Sequence, residues 1–167
     1  MSELKSNITP DALHPSNDMA KIHLTTTIQA PIERVFDLAR DLDLHVRSME
    51  SSGERAVGGR TSGLIGADEE VVWRARHFGF EHEHHSRITS YERPSHFRDT
   101  MVRGRFKRYE HDHYFEVVNG ATVMRDVIEF ASPLGILGEL VDFLFMNRYL
   151  SRLIERRNDA IKAEATQ

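Results

Sequence analysis

Histidine is abundant in this sequence, and two pairs of histidines have the spacing at which a β-strand presents side chains together. Ten of the 167 residues are His, and seven of these lie between positions 77 and 113. The pairs are His82 with His84 and His111 with His113. Because alternate residues of a strand project from one face, each pair offers two imidazoles to the same space, as metal ligands or as proton carriers.

A metal ion is one use of these imidazoles, with Asp99 or Asp126 as an oxygen ligand. The spacing of strands argues against one ion shared by both pairs. If the segment 96–105 lies between the two histidine-bearing strands, the pairs are two strand spacings apart, about 10 Å. We therefore expect no metal and no cofactor, and we expect hydrogen-bonded histidines near a cavity mouth.

Acid–base chemistry is the second use, with a carboxylate orienting each imidazole. Cyclisation or dehydration of a poly-β-carbonyl chain needs one proton taken from an activated carbon and another delivered to oxygen. The alternative is that the two aspartates pair with His or Arg across the sheet as a structural polar network. The candidate catalytic residues are Asp99, His111, His113 and Asp126.

Composition indicates one compact domain with a negative net charge. The chain has 22 Lys and Arg against 26 Asp and Glu, a net charge of −4, and no cysteine. The lack of cysteine excludes disulfides, thiolate nucleophiles and cysteine-ligated metals, and we predict a cytoplasmic protein. The charge does not favour nucleic acid as a partner. The run 103–109 interleaves cations with aromatics, but we interpret it as a solvated hairpin end rather than a nucleic-acid platform.

Alternating apolar and polar residues predict a sheet that positions the histidines. A first strand covers 22–28, Pro31 begins a helix, and a second short helix covers Asp41 to Met49 before a glycine-rich stretch with a short strand. No helix interrupts the later strands, so the sheet is antiparallel and meandering. These strands are Glu69–His77, Phe80–Tyr91, His96–Arg105, Tyr109–Val118 and Thr122–Ala131, the last two joined by the hairpin signal Asn119-Gly120.

The same alternation gives each strand an inward face that mixes aromatic with titratable residues. On the last strand that face carries Asp126 and Ile128, and on the strand before it the face extends to Val117. A solid core does not hold so many unpaired polar groups, which favours a cavity that binds a ligand. The predicted ligand-binding residues are Trp73, His77, Phe80, His82, His84, Phe97, Met101, Phe115, Met124 and Phe130.

Four segments of the chain carry a family resemblance. They are TTTIQAPIERVFDLARDLD from Thr25, EEVVWRARHFG from Glu69, YEHDHYFE from Tyr109, and 124–158. These segments resemble the START-like superfamily, the birch-allergen-type helix-grip proteins, in its polyketide cyclase/dehydrase and lipid-transport branch. The resemblance implies an α+β helix-grip fold: a curled antiparallel seven-stranded sheet, two short helices after the first strand, and a long C-terminal helix over a cavity. Different members use that cavity to carry lipids, bind hormones or fold polyketide chains, with no universal catalytic triad.

This resemblance makes residues 20–165 a single START-like domain that follows a flexible N-terminal arm, residues 1–19. We predict binding or carriage of a small hydrophobic molecule, lipid-like or polyketide-like. The alternative is a polyketide cyclase/dehydratase-type enzyme that uses cavity His and Asp as general acid and base. A carrier needs only an apolar lining, whereas an enzyme needs a titratable group within hydrogen-bond reach of the reacting atom.

The C-terminal helix, predicted from Ser132-Pro133 towards Ala165, begins with a run that is apolar on nearly all sides. Charged residues interrupt the run 134–150, which argues against a membrane span. Its large apolar residues, Phe143 and Phe145 among them, cannot all face the sheet, so we predict a homodimer through this helix; docking on a membrane or partner is the alternative. The second half is amphipathic, with a solvated face of Arg156, Arg157, Asp159 and Lys162.

Overall fold

The structure is a computed structural model that describes residues 19–133 and 145–167. Within these ranges, seven strands form one antiparallel sheet in the order β1-β7-β6-β5-β4-β3-β2. The strands are β1 (Ala20–Ile28), β2 (Arg55–Gly59), β3 (Glu70–His77), β4 (Phe80–Glu92), β5 (His96–Arg103), β6 (Arg108–Val118) and β7 (Ala121–Ala131). The helices are α1 (Ile32–Ala39), α2 (Leu42–Ser48) and α3 (Asn147–Ala165). This architecture confirms the predicted α+β helix-grip fold.

The two short helices follow β1 and begin where the sequence predicts them. Helix α1 starts directly after Pro31, a residue that suits a helix start because it has no N–H to leave unpaired. Helix α2 is capped by Asp41, whose carboxylate accepts hydrogen bonds from the backbone N–H groups of Asp43 at 2.9 Å and Leu44 at 3.1 Å. Both starts are therefore set by local sequence.

The side chain of Phe36 fixes α1 against the sheet. Its fully buried ring meets three aromatic rings edge to face, with centroid distances of 5.6 Å to Tyr91, 5.5 Å to Phe97 and 5.2 Å to Phe115. Aromatic pairs prefer this geometry, in which a positive ring edge meets a negative face. Because the three partners come from β4, β5 and β6, the helix fills one end of the sheet with a solid core.

The turn between β6 and β7 sets the register of both strands. Asn119 and Gly120 have positive φ angles of 51° and 80°, the combination that a two-residue hairpin turn requires. Pairing then runs without a bulge along both strands and places His113 opposite Asp126. The predicted inward face of β7 is confirmed, since the side chains of Met124, Asp126, Ile128 and Phe130 are fully buried.

Helix α3 lies against β1, α1 and α2. Its buried residues, which include Ile154 and Ile161, recur at helical spacing and form one stripe. Its last turn is tied to α1, because Arg34 donates hydrogen bonds to the carbonyl oxygens of Ala165 at 3.1 Å and Glu164 at 2.6 Å.

Several predictions about the chain ends fall outside the described ranges. These are the N-terminal arm up to residue 18 and the beginning of the C-terminal helix at 134–144. The homodimer predicted through this helix depends on that segment and stays a prediction. No helix among the described residues is long and apolar enough to cross a membrane.

Two inward assignments were wrong. The side chains of Phe80 and Val117 are 69% and 61% exposed. Phe80 is the first residue of β4 and Val117 is close to the end of β6, so each stands beside a hairpin turn. Alternation fixes the side of the sheet on which a residue projects, but it does not determine whether another element packs over that end of the strand.

Asp37 links α1 to the turn between β4 and β5 and makes this link dependent on pH. Its carboxylate accepts hydrogen bonds from Arg93 and Arg40, both at 2.8 Å. The hydrogen bond from Arg93 is the largest cause that lowers the pKa of Asp37, and together with the hydrogen bond from Arg40 and the charges of both guanidinium groups it outweighs the opposing effect of burial. Since the folded pKa lies below the unfolded value of about 4, the ionised pair stabilises the fold above about pH 4, and this stabilisation is lost as the pH falls through the folded pKa.

We expect the substitution Asp37→Asn to lower the melting temperature by roughly 1–3 °C at pH 7, the size of effect typical of partly exposed ion pairs. At pH 2.5, below the unfolded pKa, this deficit should be clearly smaller, because part of the stabilisation has been lost by protonation of the carboxyl. Circular dichroism melts at both pH values measure this, with the exposed Glu92→Gln as the control. An equal deficit at both pH values would contradict the assigned ionisation.

Candidate functional site

A cavity of about 450 Å³ lies between the concave face of the sheet and α3. Its volume falls in the range of small-molecule sites, and its wall is largely apolar with a few convergent polar groups. Strands β3 to β6 supply one wall, and α2 and α3 supply the other. The apolar residues that line it include Leu42, Ile65, Val71, Trp73, Ile88, Phe97, Leu150, Leu153 and Ile154.

The structure brings most of the predicted site residues to this cavity and places the others elsewhere. Those that line it are Trp73, His77, His82, His84, Phe97, Asp99, His111 and His113. Phe115 and Met124 lie on the inward face but pack in the solid core around Phe36, and Phe130 packs in a second core cluster with Ile154. Met101 is half-buried on β5 outside the lining, and Phe80 is exposed.

Asp126 is the centre of a buried polar network behind the cavity wall. Its Oδ1 atom accepts a hydrogen bond from His111 Nε2 at 2.9 Å, and its Oδ2 atom accepts one from Asn158 Nδ2 at 2.7 Å. His113 Nδ1 also lies 2.9 Å from Oδ1, but it is not aligned for a hydrogen bond. The Arg157 Nη1 atom is 3.9 Å from the same oxygen. The network therefore joins β6, β7 and α3.

Electrostatics within this network favour an ionised carboxylate. Burial raises the pKa of Asp126, but the hydrogen bond from His111 and the charges of His111 and His113 outweigh it, so the pKa lies well below its usual value. Burial lowers the pKa of the His111 imidazole, and the neighbouring His113 lowers it further. The centroids of the two rings are only 3.7 Å apart. A second positive charge so close would be unfavourable, since like charges disfavour the charged form.

Asp99 faces the same two imidazoles from the cavity side. Its Oδ2 atom lies 3.3 Å from His113 Nε2 and 3.8 Å from His111 Nδ1. Burial raises the pKa of Asp99, but the hydrogen bond from His113 and the charges of both histidines lower it to about 2. Each imidazole thus stands between two carboxylates. Asp99, His111 and His113 also line the cavity, so they can reach a bound molecule.

The histidines of β3 and β4 form separate contacts. His77 Nδ1 is hydrogen-bonded to the Tyr149 hydroxyl at 2.5 Å, and His82 Nδ1 accepts a hydrogen bond from Arg105 Nε at 3.0 Å. Strand β5 lies between β4 and β6, as predicted. The argument that the two histidine pairs do not share one ion was based on this strand order. His77 and His82 are thus hydrogen-bonded and line the cavity. Their predicted position near the cavity mouth stays a prediction.

Arg157 is a site residue that the sequence analysis placed wrongly. It was assigned to the solvated face of the C-terminal helix, but it is 6% exposed and lines the cavity. Its Nη2 atom donates a hydrogen bond to the carbonyl oxygen of Ala39. Helical spacing indicates that Arg157 lies on the buried face of the helix. It is three residues after Ile154 and four before Ile161, which puts all three on one helix face.

Other lining residues were also missed or misinterpreted. His45 donates to Glu54 at 2.7 Å, and its ring stacks on Trp73 with centroids 4.3 Å apart. The aromatic residues of the run 103–109 are not part of a solvated hairpin end, since Phe106 and Tyr109 line the cavity. They lay outside the sequence-based site because their basic neighbours suggested exposure.

Removal of the Asp126 charge should destabilise the protein strongly. We expect Asp126→Asn to lower the free energy of unfolding at pH 7 by roughly 3 kcal/mol, because loss of one partner leaves buried polar groups without compensation. Urea unfolding followed by circular dichroism measures this. The matched control is Asp99→Asn, which should cost clearly less because that side chain is 22% exposed towards the cavity. Equal losses in the two variants would show that Asp126 has no special structural role.

Comparison with known proteins agrees with this architecture. A family described as polyketide cyclase/dehydrase and lipid transport matches residues 19–166. A solved structure from Thermus thermophilus is 20% identical, with a TM-score of 0.68 over 87% of this chain and 99% of that chain. Ginseng major latex-like protein 151 from Panax ginseng is 14% identical, with a TM-score of 0.66 over 89% of this chain and 99% of that chain.

A START superfamily protein from Mycobacterium smegmatis is 11% identical, with a TM-score of 0.65 over 88% of this chain and 97% of that chain. At these identities the similarity to solved structures shows the fold alone. No curated protein matches the chain.

Proposed function

The chain belongs to the polyketide cyclase/dehydrase and lipid-transport family, and we propose that it binds a small hydrophobic molecule, lipid-like or polyketide-like, between the sheet and α3. The observation that carries this proposal is the cavity of about 450 Å³, whose wall is largely apolar and also contains polar side chains. Apolar area removed from water gives such a site its affinity, at about 25 cal/mol per Å². The polar groups fix the orientation of the molecule.

The polar part of the wall supports a ligand that carries oxygen atoms. Strands β3 to β6 place polar side chains such as His84, Asp99 and His111 in the lining beside apolar ones such as Trp73 and Ile88. Asp99 and His111 have hydrogen-bond partners within the protein, but they also face the cavity. A ligand with a carbonyl or hydroxyl group can form a hydrogen bond with this part of the wall, whereas a purely hydrocarbon ligand would remove polar groups from water without replacing that interaction.

Trp73 reports directly on occupation of the cavity. It is the single tryptophan of the chain, it lines the cavity, and it is 8% exposed. We expect the fluorescent apolar probe anilinonaphthalene sulfonate to bind with one site per chain and to quench Trp73 by energy transfer. Ala75→Phe, which fills the cavity from β3, should weaken binding at least tenfold, because the added ring occupies the space of the probe.

The matched control is Val102→Phe, which adds a similar volume at an exposed position of β5 and should leave affinity unchanged. Near-ultraviolet circular dichroism of both variants shows whether the packed fold is kept. A folded Ala75→Phe variant that binds the probe like the wild type would contradict a ligand site in this cavity.

A second candidate function is acid–base catalysis of cyclisation or dehydration, favoured by the three titratable groups that face the cavity. A carboxylate with a pKa of about 2, as at Asp99, is a weak proton acceptor at neutral pH. The imidazoles of His111 and His113 are therefore the better general bases. Asp99 would then orient them and stabilise the imidazolium that forms.

Turnover separates the enzyme from the carrier. With a short poly-β-carbonyl thioester as substrate, mass spectrometry detects loss of water on cyclisation and dehydration. If the enzyme proposal holds, His111→Gln should reduce the rate about 10²–10⁴-fold, the usual contribution of a general acid or base, while binding of the fluorescent probe persists. Unchanged turnover in that variant, or no turnover by the wild type above the uncatalysed rate, would refute the enzyme and leave the carrier.

A further inference from the structure

The two imidazoles of β6 stand in surroundings that are unusual for neutral rings. Each has one nitrogen near Asp126 and the other near Asp99. A neutral imidazole carries one N–H and one lone pair. If His111 donates to Asp126, the lone pair of its second nitrogen points towards a carboxylate. A cation between the rings and Asp99 would remove this conflict.

The charges around the two imidazole rings also favour a bound cation. With neutral rings, two carboxylates and the guanidinium of Arg157 sum to one net negative charge in a buried region. An uncompensated buried charge is costly, and metal ions are among its usual partners. In the described part of the chain, Asp99, His111 and His113 are a group whose ligand atoms all lie within 4.8 Å of one another.

We propose that Asp99 Oδ2, His111 Nδ1 and His113 Nε2 bind one divalent first-row transition-metal ion at the cavity wall. Two histidines and one carboxylate are a common ligand set for zinc and for ferrous iron. Ligand atoms at bond lengths of about 2.1 Å are about 3.4 Å apart in tetrahedral geometry. In the structure Asp99 Oδ2 lies 3.3 Å and 3.8 Å from the two imidazole nitrogens, and all three ligand atoms lie within 4.8 Å of one another. Side-chain movements of about 1 Å would bring the set to metal-binding distances.

The groups behind the histidines fit the same role. Metal-ligating histidines usually donate their other N–H to a carboxylate, which fixes the ring and makes it a better ligand. His111 has this arrangement, since its Nε2 atom donates a hydrogen bond to Asp126 at 2.9 Å. His113 Nδ1 lies at the same distance from that oxygen without a hydrogen bond, and its ring is held by stacking on Phe97. Asn158 in turn holds Asp126 with a hydrogen bond of 2.7 Å, so the sheet and α3 together orient His111 towards Asp99.

This site differs from the one that the sequence analysis rejected. The rejected site was one ion shared by the histidine pairs of β4 and β6, and no metal was expected. The present site uses neighbouring strands, since Asp99 of β5 pairs directly with His111 of β6. All three ligands line the cavity, so the remaining coordination positions open onto it. If the proposed ligand binding holds, the ion would favour a hydrophobic molecule with an ionisable oxygen, such as an enol, a phenol or a carboxylic acid.

Calorimetric titration of chelator-treated, untagged protein with zinc chloride at pH 7 tests the site. We expect one zinc ion per chain with a dissociation constant in the micromolar range or below. Asp99→Asn and His111→Gln should each weaken binding at least tenfold. His82→Gln is the matched control, because it removes an imidazole from the same cavity but outside the ligand set, and it should bind zinc like the wild type.

Cobalt chloride gives a second readout that does not depend on affinity alone. Visible absorption of bound Co²⁺ should show protein coordination in the wild type and in His82→Gln, and should lose this signature in Asp99→Asn. No zinc binding by the wild type at 1 mM would overturn the proposal, as would full binding by folded Asp99→Asn and His111→Gln. Binding of anilinonaphthalene sulfonate to metal-free protein tests the cavity separately, so a failed metal site and a failed ligand site give different results.

Discussion

The negative charge of a carboxylate without solvent contact must be balanced by hydrogen bonds and positive charge from neighbouring groups. Asp126 is such a carboxylate, and several buried residues of the interior contact it. Its partners come from β6 and from α3, so the sheet and the last helix meet through a polar contact as well as through apolar packing. Arg157 and Asn158 are buried on the helix for the same reason. Polar groups next to the cavity thus hold together the two walls that enclose it.

The interior is divided into a solid part and an open part. Under α1 the ring of Phe36 fills the sheet, and under α3 the space is left for a ligand. Phe97 stands at the border, since its ring packs against Phe36 at 5.5 Å and stacks on His113 at 4.2 Å. Phe97 therefore holds the His113 imidazole against the solid core. Packing of this kind fixes the geometry of a site that is built on regular strands.

The architecture could be predicted because its signals are local. Alternation gave the strands and the inward face of β7, and Asn119-Gly120 gave the hairpin that aligns β6 with β7. The pairing of Asp99 with His111 had no such signal, because β5 and β6 are joined by residues 104–107 rather than by a two-residue turn that would fix the register.

The errors have a common physical cause, which is that the side on which a residue projects does not determine what covers it. Phe80 projects where strand alternation says, but it lies at a hairpin tip. Arg157 was judged by its charge, although helical spacing places it beside two buried isoleucines. Burial depends on which element packs above a residue, and this is a property of the assembled fold.

The length of the hairpin turn at residues 119 and 120 determines which side chains of β6 and β7 face the cavity. Side chains alternate along a strand, so a shift of one residue in the pairing of β6 and β7 would turn a whole set of side chains to the other face. An insertion or deletion of one residue in that turn would carry Asp126 away from both histidines without changing any residue of the site. The length of this turn therefore constrains the site as strictly as the identities of its residues do, because it decides whether Asp126 faces His111 and His113.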